Sequence, residues 1–280
     1  MSKLTEIQTY LVENGLQLAI LSDPVTIHYV TGFACDPHER QLFLFVFDKS
    51  EPFLFTPQLE VNKASQVVDF PVIGYVDSEN PWKKIAAQLP KRDLQGIGAE
   101  FHHLNLEKFY NLRELFNEDF VNLTPLIQGM RLIKSADEIE KMHIAGDYAD
   151  QAMKIGFEHI AANVTETDIV SKIDFGMKQA GVTRMSFDTM VLTGNNAADP
   201  HGEPGTNPIE NNNLLLFDLG VEINGYTSDM TRTVAVGEPT AFQKEIYDLC
   251  LRAHLAAIEM IRPGVTAHEI DRAARSIIEE

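Results

Sequence analysis

The sequence predicts two domains of mixed α and β structure, an α/β domain over residues 1–125 followed by an α+β domain over 131–280. Three observations predict this. Helical and strand patterns alternate through the first 125 residues, as in layered α/β folds. A helix-start signature follows a proline-containing junction near Pro125–Arg131. In the second half, two apolar strand patterns flank Asn224-Gly225, the strongest short hairpin signal a sequence offers.

In chain order, Leu4 to Asn14 has helical spacing and Leu18-Ala19-Ile20-Leu21 reads as a strand. Leu42-Phe43-Leu44-Phe45-Val46-Phe47 is a continuous apolar run, the mark of a strand buried on both faces. Pro52–Phe55 and Gly96–Ala99 read as further strands, with helices around 81–89 and 106–116. Gly96-Ile97-Gly98 lacks the third glycine of a dinucleotide fingerprint, so it reads as a strand end. The loop Asp36-Pro37-His38-Glu39-Arg40 carries four ionisable side chains and reads as surface.

Past the junction, Ser135-Ala136-Asp137-Glu138 has the form of a capping box and opens a long helix through Ile139, Met142, Ala145 and Ala149. Val164-Thr165-Glu166-Thr167-Asp168-Ile169 opens another helix, and recurs as Val265-Thr266-Ala267-His268-Glu269-Ile270. Both copies place a threonine cap before early acidic positions, which the helix macrodipole favours. The last helix carries Ile270, Ala273, Ala274 and Ile277 on one side, a stripe expected to pack on the hairpin sheet. Ser186 to Leu192 reads as a strand, followed by a polar, turn-rich loop from Thr193 to Gly202 that contains His201.

A two-residue turn at Asn224-Gly225 would pair Ile223 with Tyr226, Asp218 with Thr231, and Gly220 with Asp229. Asp218 and Asp229 would then be diagonal neighbours on one face, with Cα atoms about 7–8 Å apart. Converging carboxylates repel unless something positive lies between them, and hard oxygen ligands suit divalent cations. The alternative is an ordinary hairpin with both aspartates in solvent. A one-residue slip of register would separate them to opposite faces.

Composition bounds the function. The 280 residues allow one large domain or two ordinary ones, and 44% hydrophobic residues suffice for a core. A formal net charge of −18 argues against nucleic-acid or anionic-membrane partners, whose phosphates would repel the chain. Cys35 and Cys250 have no paired spacing, which suits a reducing cytoplasm, and the N-terminus lacks the apolar core of a signal peptide. No apolar run approaches membrane-spanning length.

Four segments together resemble the metallopeptidases of the pita-bread fold, which include methionine aminopeptidase, Xaa-Pro aminopeptidase and Xaa-Pro dipeptidase (prolidase). These are Ser186-Phe187-Asp188-Thr189, Pro200-His201-Gly202, Phe217-Asp218-Leu219-Gly220, and Ser228-Asp229-Met230-Thr231-Arg232-Thr233. Arg131, Lys134, Ser135 and Glu138 also match the family's entry into its catalytic domain. Residues 1–125, with Ser22-Asp23-Pro24 through Thr31-Gly32-Phe33, are similar to the N-terminal domain of prolidases, where that segment runs from strand to loop. The resemblance implies two divalent metal ions, manganese first, with cobalt or zinc as alternatives. Asp218 would hold one ion, Asp229 would bridge both, and His201 would line the substrate site outside the metal shell. The implied reaction is hydrolysis of Xaa-Pro dipeptides by a metal-bridging hydroxide, in a cytoplasmic homodimer. Because relatives place the N-terminal domain of one subunit near the other's site, His38 or Arg40 could pair with the free carboxylate of a dipeptide.

The chain departs from the family in its second half. The repeated helix reaches Glu279-Glu280 without the later strands that supply a histidine and two glutamates, so two of five expected metal ligands are present. The expectation is a pita-bread domain incomplete at its C-terminus, with residues 1–280 alone catalytically silent. Xaa-Pro aminopeptidase is the alternative activity. Creatinase-like amidinohydrolysis is disfavoured by retention of both aspartates, and a noncatalytic peptide-binding module of the same fold is the alternative of another class.

Overall fold

A computed structural model describes residues 2–90, 94–161 and 163–279. They divide into two units, Met1–Ser135 and Ala136–Glu280. In the first, β1 (Leu18–Leu21), β2 (Phe43–Phe47), β3 (Phe53–Pro57), β4 (Val72–Tyr75), β5 (Ile97–Ala99) and β6 (Phe120–Asn122) form one mixed sheet in the order β4-β3-β2-β1-β5-β6. Every residue of β1, β2 and β3 is buried because both faces are covered. Leu44 and Val46 join Ile7, Leu11, Ile27 and Ile127 from helices Lys3–Glu13, Pro24–Thr31 and Thr124–Leu132. Phe43, Phe45 and Phe47 face the other way, toward Ile85 and Leu112 of helices Pro81–Gln88 and Leu106–Phe116.

Three features differ from the sequence reading. The expected junction at Pro125–Arg131 is helix Thr124–Leu132, which buries Ile127 and Met130 in the first unit's core. Pro125 stands in its first turn, where a missing N–H costs nothing. The strand-to-loop segment after Ser22 likewise contains a helix, opened by the Asp23 cap and Pro24. Strands β4 and β6 were not expected. Both lie at the sheet's edges and are too short to show a period.

In the second unit, β7 (Arg184–Met185), β8 (Met190–Thr193), β9 (Asn213–Leu219), β10 (Val221–Ile223), β11 (Tyr226–Thr227) and β12 (Met230–Val236) form two three-stranded sheets, ordered β11-β10-β7 and β12-β9-β8. Leu215, Phe217 and Leu219 of β9 are fully buried with Ala145, Ala149 and Ala152 of helix Ala136–Glu158 and Ile169 and Ile173 of helix Glu166–Gln179. Small residues on the long helix permit this approach. A Cβ added to Gly156 would lie 2.8 Å from the Phe217 ring.

The repeat is structural as well as sequential. Helix Ala241–Met260 and helix Ala267–Ile278 follow the hairpin, and Thr165 and Thr266 each close a capping box on their helices. The stripe of Ile270, Ala273, Ala274 and Ile277 does not meet the hairpin sheet as expected. Helix Ala267–Ile278 packs against helix Ala241–Met260 instead, an antiparallel pairing that the short connection at 261–266 favours. Among the described residues, no helix is long and apolar enough to cross a membrane.

Candidate active site

The hairpin register follows from its turn. Asn224 and Gly225 have φ of 53° and 79°, the left-handed pair of a type I′ turn. Ile223 then faces Tyr226, Leu219 faces Met230 and Asp218 faces Thr231. Between the two paired stretches the chain is stitched by side chains. Ser228 N–H donates to the Val221 carbonyl at 2.9 Å, and Ser186 Oγ donates to the Ser228 carbonyl at 2.9 Å. Gly220 sits so close to this crossing that a Cβ would lie 2.0 Å from the Ser228 carbonyl oxygen. At the tip, the Tyr226 hydroxyl donates to Glu138 Oε1 at 2.8 Å, tying the hairpin to the long helix.

Alternation along β9 sends Leu215, Phe217 and Leu219 toward the helices and Asp218 to the opposite face. Asp229 lies just before β12, outside the strand pairing, so the expected Gly220–Asp229 pair does not form, and its charge acts on Asp218. Asp218 Oδ1 is buried and has no hydrogen-bond partner among the described residues. Burial pushes the Asp218 carboxyl above its ordinary range, the Thr231 hydroxyl pulls it down, and the negative charge of Asp229 pushes it up again. A half-buried carboxylate with an orphaned oxygen and an anionic neighbour is a site short of positive charge. The residues therefore fit a divalent cation, whose charge would satisfy the orphan and screen the repulsion.

His201 lies in the loop after β8 and is exposed, its N–H donating to Asp199 Oδ1 at 3.0 Å. The next residue, Gly202, rests on Leu192, since a Cβ there would lie 3.0 Å from Leu192 Cδ1. Leu192 pairs with Leu216 and Met190 with Asp218, so the loop lies against the sheet face that carries Asp218. The loop is anchored by Glu166, fully buried at the start of its helix. Glu166 Oε1 accepts from Thr193 N–H at 2.7 Å and Asn196 Nδ2 at 3.1 Å. Its Oε2 accepts from Gly205 N–H at 2.8 Å and from Asn196 Nδ2 and Asn207 Nδ2, both at 3.0 Å.

His38 and Arg40 belong to the first unit. His38 adopts φ of 52° and its N–H donates to Asp36 Oδ1 at 2.9 Å, an Asx turn that shapes the loop. Arg40 closes a bidentate fork on Asp77, Nε to Oδ1 at 2.8 Å and Nη2 to Oδ2 at 2.7 Å. A substrate carboxylate would have to displace Asp77 to use that fork. The only group of three or more potential ligand residues found close together among the described residues is Asp23, Glu100 and His102, also in the first unit. Sequence reading passed over it. Glu100 Oε2 accepts from Ser22 N–H at 2.9 Å and Asp23 N–H at 3.2 Å, at the head of helix Pro24–Thr31. Asp23 caps that helix through Val25 N–H at 3.0 Å and meets His102 Nε2 at 3.3 Å. Backbone amides and a helix N-terminus supply positive partners to Glu100 Oε2, while its buried Oε1 has no hydrogen-bond partner among the described residues, so this group too has room for a cation.

Comparison with known proteins assigns both units. Residues 3–133 match the creatinase/prolidase N-terminal domain and residues 140–280 match metallopeptidase family M24. The chain belongs to metallopeptidase family M24. Its fold is thus a creatinase-like N-terminal domain followed by a pita-bread domain. The Xaa-Pro dipeptidase of Lactobacillus delbrueckii subsp. lactis is 45% identical over 281 residues, covering 98% of this chain and 76% of that protein. The prolidase of Pyrococcus horikoshii OT3 superposes with a TM-score of 0.88 at 29% identity, covering 99% of this chain and 77% of that one. The Xaa-Pro dipeptidase of Bacillus anthracis gives 0.88 at 28% identity, covering 99% and 76%. Membership in M24 implies divalent metal.

Proposed function

We propose an Xaa-Pro dipeptidase activity that works with two divalent ions, manganese first among them, held in part by Asp218 and Asp229. The observation that carries the reading is the orphaned, buried Asp218 Oδ1 beside a second carboxylate, on the sheet face against which the His201 loop lies. Bound divalent ions would supply an activated water and polarise the scissile carbonyl. Asp218 and Asp229 would help hold that charge in place. His201 would orient the peptide by hydrogen bonding from its exposed loop. Arg40 is proposed as a carboxylate contact through exchange of the Asp77 fork, and His38 as a second one from the Asp36 turn. The dipeptidase names of the Lactobacillus and Bacillus relatives support the substrate class. We place the enzyme in the cytoplasm as a homodimer.

The test is metal analysis together with hydrolysis of an alanyl-proline dipeptide and of a longer Xaa-Pro peptide by the manganese-loaded full-length protein. Cleavage of the dipeptide alone is expected. Cleavage of the longer peptide at its Xaa-Pro bond would make the enzyme an Xaa-Pro aminopeptidase. Neither metal uptake nor cleavage would make the fold a noncatalytic peptide-binding module.

A further inference from the structure

We infer that Glu166 is the positioning residue for His201. Its single carboxylate holds the loop on both sides of the histidine, taking Thr193 N–H and Asn196 Nδ2 on the approach and Gly205 N–H and Asn207 Nδ2 on the return. The backbone adds to the same clamp, with Glu166 N–H donating to the Asn207 carbonyl at 3.1 Å and Thr167 N–H to the Gly205 carbonyl at 3.2 Å. Asn196 Nδ2 also reaches the Glu203 carbonyl at 3.0 Å, closing the interior of the loop.

The chemistry explains why a carboxylate stands here. A fully buried anion must be saturated with donors, and four N–H groups converging on two oxygens do so without a cation. The arrangement only closes when both limbs of the loop are in place. Folding of the second unit therefore commits the loop to one course before any peptide is bound. Gly202, next to His201, packs so closely on Leu192 that an added Cβ would lie 3.0 Å from its Cδ1, which fixes the backbone that carries the histidine. Glu166 touches no reacting atom, and its effect on hydrolysis passes through His201.

The inference rests on the reading of His201 as a substrate contact, and a double-mutant cycle separates the two. Glu166→Gln turns one acceptor into a donor facing buried N–H groups, so kcat/KM should fall about tenfold or more while metal content stays unchanged. In a His201→Ala background the same substitution should change kcat/KM by less than about twofold. Effects that multiply fully would overturn the positioning role and leave Glu166 an ordinary stabilising residue. Asn207→Ala, which removes one donor and keeps the carboxylate, should give a smaller fall with the same dependence on His201. If the wild type neither takes up manganese nor cleaves peptides, the enzymatic reading fails and hydrogen exchange decides the rest. Glu166→Gln should then speed exchange across 193–207 and leave 213–236 unchanged. Equal exchange in both segments would sink the clamp.

Discussion

Glu166 and Asp218 are carboxylates of the same unit, both drawn out of water, and their surroundings treat them in opposite ways. Glu166 is saturated by four N–H donors, whereas Asp218 keeps an oxygen without a partner and faces another anion. A protein interior ordinarily provides for each buried polar group. The saturated carboxylate has spent its capacity on holding the loop. The starved one still has capacity for a ligand, and its deficit is electrostatic in sign, so a cation would fit it.

The largest expected effect tests the starved side. Asp229→Asn should remove one retained metal ion and lower turnover by more than about a hundredfold, since lesser changes around metal ligands already cost tenfold to a hundredfold. Near-normal activity and metal content would break the assignment. Next in size, Asp218→Asn should weaken metal binding yet raise the unfolding midpoint in chelator, because an amide relieves the repulsion from Asp229. A lowered midpoint in chelator would mean that Asp218 is provided for after all.

Glu100 in the first unit is an intermediate case and sharpens the comparison through pH. Burial raises its carboxyl above the ordinary 4.5, against the pull of the Thr26 hydroxyl and the Asp23 and Ser22 amides, and the charge of Asp23 adds to the rise. Its stabilising protonated form is fully populated below the unfolded value and is lost as pH rises through the folded one. Stability of the first unit should therefore fall as pH climbs from 4.5 through that window, and Glu100→Gln should flatten the slope. Fluorescence of Trp82, the chain's single tryptophan, reports unfolding of that unit directly. An unchanged slope would place Glu100 with the fully provided carboxylates.

The smallest effect belongs to Arg40. Its fork on Asp77 is open to solvent, so Arg40→Ala should barely lower the unfolding midpoint. If Arg40 also exchanges onto substrate, KM should rise for dipeptides and not for their C-terminal amides. Equal rises for both would exclude carboxylate recognition.

Much of this was legible locally. The Asn-Gly turn set the register that brings Asp218 opposite Thr231, and threonine caps marked both repeated helices. Pro24 and Pro125 misled because each stands in a helix's first turn, where proline is as welcome as in a loop. The helix Ala267–Ile278 showed its apolar stripe but not which surface would receive it. Glu166 was readable only as an early acidic residue of a capped helix. Its partners lie 27 to 41 residues away, and no local pattern announces a hydrogen bond at that range. The Asp23, Glu100 and His102 group was hidden for the same reason, since it forms only where β1 and β5 run side by side.

The turn that sets the register also carries a clock. Asparagine followed by glycine is prone to cyclise through attack of the next amide nitrogen, and the product reopens largely as isoaspartate, which lengthens the backbone by one carbon. The chain has two such dipeptides, Asn14-Gly15 and Asn224-Gly225. At Asn14 the damage would fall on a helix end and disturb little else. At Asn224 it would fall on the tip that aligns Asp218 with Asp229, where one extra atom shifts the pairing of both strands. On the proposed reading of the aspartate pair, ageing of this protein should weaken metal binding while most of its secondary structure persists, so that old preparations would still look folded.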